Sequence, residues 1–396
     1  MWFRSAPVLL LCLAEVLSAG AWQWSEPQPQ GNGILASARS DAGTLVVVGA
    51  YSACLRLPAD DNDWASVGPI AGANDLTGLA FVNGRFYAVG PRAGLWVSED
   101  EGATWAASDS PLRGRHAFAT GDRLVVLDAS RSWVSASETE FNSHALPVSY
   151  RTAACDGHRI VIAGSGGLVS TSVDGENWSP GTVVGGADHV FFALAAGSEG
   201  FMLGGVKVLA GGSAYEPVLF ESRDGQTWSS ATPPAETSIV YQILPAPGGW
   251  IFQNSDDGQK NRRRMFCRQS TGDWSLLQGE GLDNFAAAVS ISSAAHPAET
   301  YLFDTKGLLA KLGNGLAELL QPPLCPQGIL YPPSFSAAAA SGLALALDRN
   351  ASSSDQYSLL RSLDGKVWTE ISRPFPRETP RMIRVFIGRA MDSRGT

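Results

Sequence analysis

The chain has 396 residues, of which 44% are hydrophobic and 17% charged, with 43 glycines and 23 prolines. That balance excludes a disordered chain and fits a turn-rich, all-β protein long enough for one large repeat array. A net charge of −9 argues against nucleic acid or an anionic membrane as partner.

Residues 1–21 predict a secretory signal peptide. Arg4 supplies the positive segment, Ala6 to Leu17 is apolar apart from Glu15, and Ala19-Gly20-Ala21 offers a small-residue cleavage site ahead of Trp22. The stretch is too short for a stable membrane span, and no later stretch reads as one. Leu11 disfavours a lipid anchor on Cys12. The expected localisation is secreted or periplasmic, with no membrane span after cleavage. Cys54, Cys155, Cys267 and Cys325 remain; export permits disulfides, and four cysteines allow three pairings. Their spacings match no zinc pattern, so buried, small apolar residues are the plainer expectation. No metal and no cofactor are expected.

In chain order, Trp24, Trp64, Trp105, Phe141, Trp178, Trp228, Trp274 and Trp368 close similar stretches. They recur every 36 to 50 residues, with a last gap of 94 that holds the degenerate unit "LAKLGNGLAELL" (309–320). Each unit repeats four β-rich runs parted by turn residues. The second unit reads "LTGLAFVNG", "RFYAVGPRAG", "GLWVSED" and "TWAASDS". The fourth reads "RTAACDG", "RIVIAGSGG", "GLVSTSVDG" and "NWSPGTV", and the fifth carries "FFALAAGSEG", "GFMLGGV" and "VLFESRDG". No helical periodicity competes. Units of this length and grammar predict an all-β fold: a β-propeller of four-stranded antiparallel blades over 22–372. Eight blades are expected. Seven is the alternative if one of the outer-type strands, "WQWSEP" or "VWTEISRP", closes the ring as a clasp. The Arg-rich segment 373–396 lacks the grammar and is expected to be a disordered or loosely attached tail.

Four units carry a fixed turn: "VSEDEGATW" (97–105), "TSVDGENW" (171–178), "ESRDGQTW" (221–228) and "RSLDGKVW" (361–368). It falls between the third and fourth strands. Aspartate accepts backbone N–H bonds from its own turn, glycine supplies a positive φ, serine ties the turn, and tryptophan buries a large ring as the outer strand begins. Every element serves the turn, so no substrate is needed to explain it.

These turns resemble the Asp-box, or BNR, repeat of sialidase-like β-propellers. Ser98, Asp100, Gly102 and Trp105 fit its longer form. Ser172, Asp174, Gly175, Trp178, with Ser222, Asp224, Gly225, Trp228 and Ser362, Asp364, Gly365, Trp368, fit the shorter one. The opening "WQWSEPQPQGNG" (22–33) also resembles secreted bacterial propellers related to photosystem II assembly factors. In such families the repeat is structural and lies away from the active face. The resemblance therefore implies fold more than activity. A sialidase would also carry a "[FY]RIP" arginine motif near its N-terminus. This chain has none, and Arg39 and Arg56 lack matching neighbours.

Few motifs point to chemistry. There is no HExxH, G-x-S-x-G or P-loop. "GSGG" (164–167) reads as a tight turn, because no helix follows it. "KNRRR" (260–264) reads as a solvated loop between strands two and three of unit six. Asn177 and Asn350 lie in N-x-S sequons. In a propeller the innermost strands line the channel, and the loops leading into them open on one face. Those loops supply Asn74 and Asp75, Arg115 and His116, Tyr150 and Arg151, Asp188 and His189, Glu236, and Asp283 and Asn284. Arg115 and Arg151 on adjacent units could hold a carboxylate or sulfate, Asp75 and Asp188 flank them, and Tyr150 could stack on a sugar. The expectation is a non-catalytic binding or assembly scaffold with a glycan, an anionic ligand or another extracytoplasmic protein as partner. A divergent sialidase-like glycoside hydrolase is the alternative, and its mark would be two facing carboxylates.

Overall fold

The computed structural model describes residues 33–61, 63–67, 70, 72–136, 140–212, 214–235, 237–246, 248–256, 263–269, 273–277, 288–292, 300–304, 309–313, 316–320, 335–340, 343–349, 357–362 and 369–372. Residues 1–27, Glu236, Asp283, Asn284, Cys325, Asn350, residues 363–368 and residues 373–396 lie outside them.

The fold is all β, a propeller of four-stranded antiparallel blades. Eight four-stranded sheets occur among the described residues, each built from four consecutive strands. They are sheet 1 (34–66), sheet 2 (78–107), sheet 3 (116–145), sheet 4 (150–183), sheet 5 (189–231), sheet 6 (237–276), sheet 7 (288–320) and sheet 8 (335–372). The chain forms two compact units, and sheet 8 falls in the smaller, with 330–396, while sheets 1 to 7 fall in the larger, 29–329. In the larger unit the first strands touch in a cycle, sheet 1 to 2 and onward to sheet 7, which returns to sheet 1. The expectation of eight units in one ring is corrected accordingly. The tryptophan ruler measures unit length, which sheet 8 shares, but length alone does not report what a unit packs against. Thr369–Ser372, weighed above as a clasp, is the fourth strand of sheet 8.

The local grammar folds as its residues dictate. The second strands carry the most buried apolar runs, and Leu45–Gly49 and Ile160–Gly164 are apolar and buried at every position. Fourth strands are short and exposed, as in Ala106–Ala107 and Thr182–Val183. Asn83 and Gly84, with φ of 49° and 79°, form the two-residue hairpin turn of sheet 2. Seven apolar cores fill the seven contacts between neighbouring sheets. The core that joins sheet 7 to sheet 1 sets Ile34, Val47 and Trp64 against Tyr301, Phe303 and Leu309. The Trp64 ring meets Phe303 edge-on at 4.9 Å and Tyr301 at 5.4 Å. Among the described residues no strand pairs across that junction, and this apolar packing holds it.

Cys54, Cys155 and Cys267 are all free thiols. Burial pushes the Cys155 thiol up to about 12, so it is unreactive. Arg263 and Arg264, read above as part of a loop, begin the third strand of sheet 6, Arg263–Gln269.

Candidate functional site at the leading end

Each first strand begins at one end of the larger unit, here termed the leading end. The repeated turns lie at the opposite end, and three of the four are described. In sheet 4, Ser172 Oγ donates to Asp174 Oδ1 at 3.0 Å, and Gly175 N–H donates to Ser172 Oγ at 2.8 Å. Asp174 also accepts the Glu176 and Asn177 N–H groups at 2.9 and 2.8 Å. Sheet 5 repeats this: Asp224 accepts Gln226 and Thr227 N–H at 2.8 and 2.7 Å. Sheet 2 carries the longer form, in which the extra residue, Glu101, takes a positive φ of 58°. There Ser98 Oγ accepts Gly102 N–H at 2.9 Å and Asp100 accepts Thr104 N–H at 2.8 Å. At Asp174 burial pushes the carboxyl up, but the bonds from Asn177, Glu176 and Ser172 outweigh it and hold the group at about 2. At Asp224 the Thr227 and Gln226 amides do the same, again to about 2.

Each turn also docks on the preceding sheet. A Cβ at Gly175 would lie 2.7 Å from a Val125 methyl, one at Gly102 2.6 Å from Val46, and one at Gly225 2.7 Å from Val161. Arginines of the preceding sheet reach across: Arg56 Nε donates to Glu101 O at 2.7 Å, Arg123 pairs with Glu176 at 2.7 Å, and Arg159 donates to Asp224 O. The turns are therefore joints between sheets. Two cavities lie at this end. One of 520 Å3 is lined by Asn83, Tyr87, Arg123, Phe141 and Glu176. The other, of 410 Å3, is lined by Glu199, Phe201, Asp224, Trp250 and Arg268. Two of their arginines are paired, Arg123 with Glu176 and Arg268 with Glu221, and Arg223 also lines the second.

At the leading end a glycine closes the second strand of several sheets because the first strand crosses there. A Cβ at Gly164 would stand 2.3 Å from Ser149 O, and one at Gly205 2.0 Å from Val190 O. At or near the start of each first strand lies a buried residue: Ile34, Leu76, Tyr150, Phe191 and Val240 are each 0–7% exposed, and Gly114 holds the place in sheet 3. The next residue turns outward. Around sheets 1 to 6 these positions are Leu35, Thr77, Arg115, Arg151, Phe192 and Tyr241. At Leu35, Arg151, Phe192 and Tyr241 the ladder shifts register by a β-bulge. Neighbouring sheets are tied at this level. Thr77 Oγ1 donates to Arg115 O at 2.8 Å and Gly167 N–H donates to His189 O at 2.8 Å, while within sheet 4 Arg151 Nε donates to Ser165 Oγ at 3.0 Å.

Arg115 and Arg151 are exposed, and among the described residues neither pairs with a carboxylate. The acids nearby are engaged. Asp75 accepts Tyr51 N–H at 2.9 Å, Asp128 accepts Ser130 and Arg131 N–H at 2.7 and 2.8 Å, and Asp188 Oδ1 lies 2.9 Å from His189 Nδ1. His116, Tyr150 and His189 turn inward instead of facing the channel mouth. Burial, with Arg115 beside it, holds His116 down to about 4, so the ring is neutral at pH 7 and stacks on Phe118. Tyr150 is 7% exposed and donates its hydroxyl to Asp128 O at 2.7 Å. The expected stacking surface on Tyr150 is thus corrected, since its ring is core. His189 packs between Phe191 and Phe220. Asp283 lies outside the described residues. Sequence reasoning missed Phe192 and Tyr241. Their signal was a large aromatic directly after a buried apolar residue, "FF" and "VY", where strict alternation calls for a change of face.

No family model matches the chain, and no curated protein matches it. Solved structures do. A YCF48 structure bound to D1 peptide is similar with a TM-score of 0.53 at 13% identity, covering 75% of this chain and 98% of that one. A GH74 xyloglucanase from Xanthomonas campestris has a TM-score of 0.57 at 13% identity, covering 90% and 70%. A GH74 enzyme of Niastella koreensis has 0.55 at 11%, covering 90% and 68%. Likeness at this identity shows the propeller fold and no activity.

Proposed function

We propose that this chain is an exported, non-catalytic propeller of Asp-box type, acting as a scaffold that binds a protein partner across the leading end. The observation that carries this reading is the pair of exposed arginines, Arg115 and Arg151, at equivalent positions on adjacent blades, which among the described residues pair with no carboxylate. Elsewhere in the body, Arg85, Arg123 and Arg268 each pair with a glutamate. Two guanidinium groups on a rigid ring suit a carboxylate of a bound polypeptide. The fold has precedent for such a load, since one similar propeller is described as bound to a peptide. The apolar leader, residues 1–21, supports export.

The test is selection of random short peptides displayed against the full mature chain, followed by titration of the best binder into wild type and into an Arg115→Gln/Arg151→Gln variant. The double variant is expected to bind about tenfold more weakly or worse, with a flatter salt dependence. Unchanged affinity in that variant, or selective binding of xyloglucan oligosaccharides with no peptide binder, would overturn the proposal.

A further inference from the structure

The residues that turn outward at the leading end change character along the ring. Arg115 and Arg151 stand on sheets 3 and 4, and Phe192 and Tyr241 on sheets 5 and 6. Phe192 is 39% exposed and Tyr241 45%, although the residues directly before them, Phe191 and Val240, are fully buried. A core does not spill rings into solvent at one position in each of two adjacent sheets by accident of composition. The bulges do it: three consecutive sheets, 4 to 6, shift register at this point, whereas sheets 2 and 3 run without a shift. A bulge re-aims one side chain while the strand continues. The two halves also touch, for the Arg151 guanidinium carbon lies 5.9 Å from the centroid of the Phe192 ring. Sheets 4 and 5 are locked beneath them by a bridge between Ser165 and Val190, so the strip is preorganised.

Resting on the reading that the leading end holds a protein segment, we infer that the segment is an extended peptide with a carboxylate one or two residues from an aromatic or large aliphatic side chain. The carboxylate sits on Arg115 and Arg151, and the apolar side chain covers Phe192 and Tyr241. The distance sets the spacing: 5.9 Å between cation and ring corresponds to about two residues of extended chain at roughly 3.3–3.6 Å each. Surroundings set the class. Phe191, Ala193 and Val240, beside them in sequence, are buried, so the two rings themselves are the apolar surface on offer. An apolar side chain leaves nothing unsatisfied, and exposed ring area of this kind favours its burial.

The experiment repeats the displayed-peptide selection on three full-length proteins: wild type, Phe192→Ser/Tyr241→Ser, and Arg115→Gln/Arg151→Gln. Against wild type, enriched peptides are expected to carry Asp or Glu within two residues of an aromatic, Leu, Ile or Met. The Phe192→Ser/Tyr241→Ser protein is expected to lose the apolar preference, keep the acidic one and bind the wild-type winners about tenfold more weakly. Thermal melting within about 2 °C of wild type shows that the variant stays folded, as expected for exposed positions. An unchanged apolar preference in that variant overturns this inference while leaving the function proposed above intact. Peptides indifferent to both variants overturn both.

Discussion

Replacing Gly175 by alanine separates the turn from the joint it makes. Gly175 has a φ of 74°, and Gly84, in the hairpin turn of sheet 2, has a φ of 79°. A Cβ at Gly84 meets nothing within 4 Å, whereas one at Gly175 comes within 2.7 and 2.8 Å of the two Val125 methyls and 3.0 Å of a Val134 methyl. Both substitutions force alanine into the left-handed region, at about 1–2 kcal/mol. Only Gly175→Ala adds overpacking against the preceding sheet, about 1–3 kcal/mol more. Gly84→Ala is therefore expected to destabilise by about 1–2 kcal/mol and Gly175→Ala by about 2–5. Urea denaturation followed by tryptophan fluorescence reads both, since Trp178 sits in the joint and donates Nε1–H to Ser132 Oγ at 3.0 Å. If the two variants unfold at the same urea concentration, the turn does not dock on its neighbour as described.

Asp174→Ala and Asp224→Ala each remove two turn N–H acceptors and are expected to lower stability by about 1–3 kcal/mol without touching the leading end; loss of peptide binding in a folded variant would contradict that division. Acid should weaken the fold in two stages. His116, held down to about 4, contributes stability that is complete above its unfolded pKa of 6.5 and is lost as the pH falls from there toward 4. Asp174 and Asp224, held at about 2, contribute stability that is present above 3.8 and lost as the pH falls below it. Melting temperatures across pH 7 to 2 check this, and a His116→Gln variant that keeps the whole drop between 6.5 and 4 speaks against the first stage. Phe303→Ala empties the junction of sheets 7 and 1 and is expected to lower stability by about 3–5 kcal/mol in urea titration; a loss under 1 kcal/mol would mean that packing there does not close the ring.

Much of the fold was legible because its determinants are local. Four runs parted by Gly, Asn and Asp give a four-stranded sheet, and Ser172, Asp174, Gly175 and Trp178 interact within one turn. The joint was not legible, since nothing in "VDGEN" says that Gly175 rests on Val125, fifty residues earlier. Ring membership was hidden for the same reason: the apolar strands of sheet 8 resemble those of sheet 7, and closure depends on Phe303 meeting Trp64. At the leading end, reading one or two polar residues before each strand found Arg115 and Arg151. It also selected Tyr150 and His189, which are core, and the half-buried His116. Phe192 and Tyr241 face out by alternation from the buried Phe191 and Val240, but a bulge changes the face of every residue beyond it, so a count begun from the polar residues before each strand passed over them.

The central claim, that the leading end is the binding face, is tested most directly by photocrosslinking the selected peptide to the full chain. A benzophenone amino acid replaces Phe192 in one protein and Asn83, beside the larger cavity at the opposite end, in another. Crosslinking at position 192 that the unlabelled peptide competes away, with none at position 83, is the predicted result. Crosslinking at position 83 and none at 192 would place the partner on the other face and contradict the account.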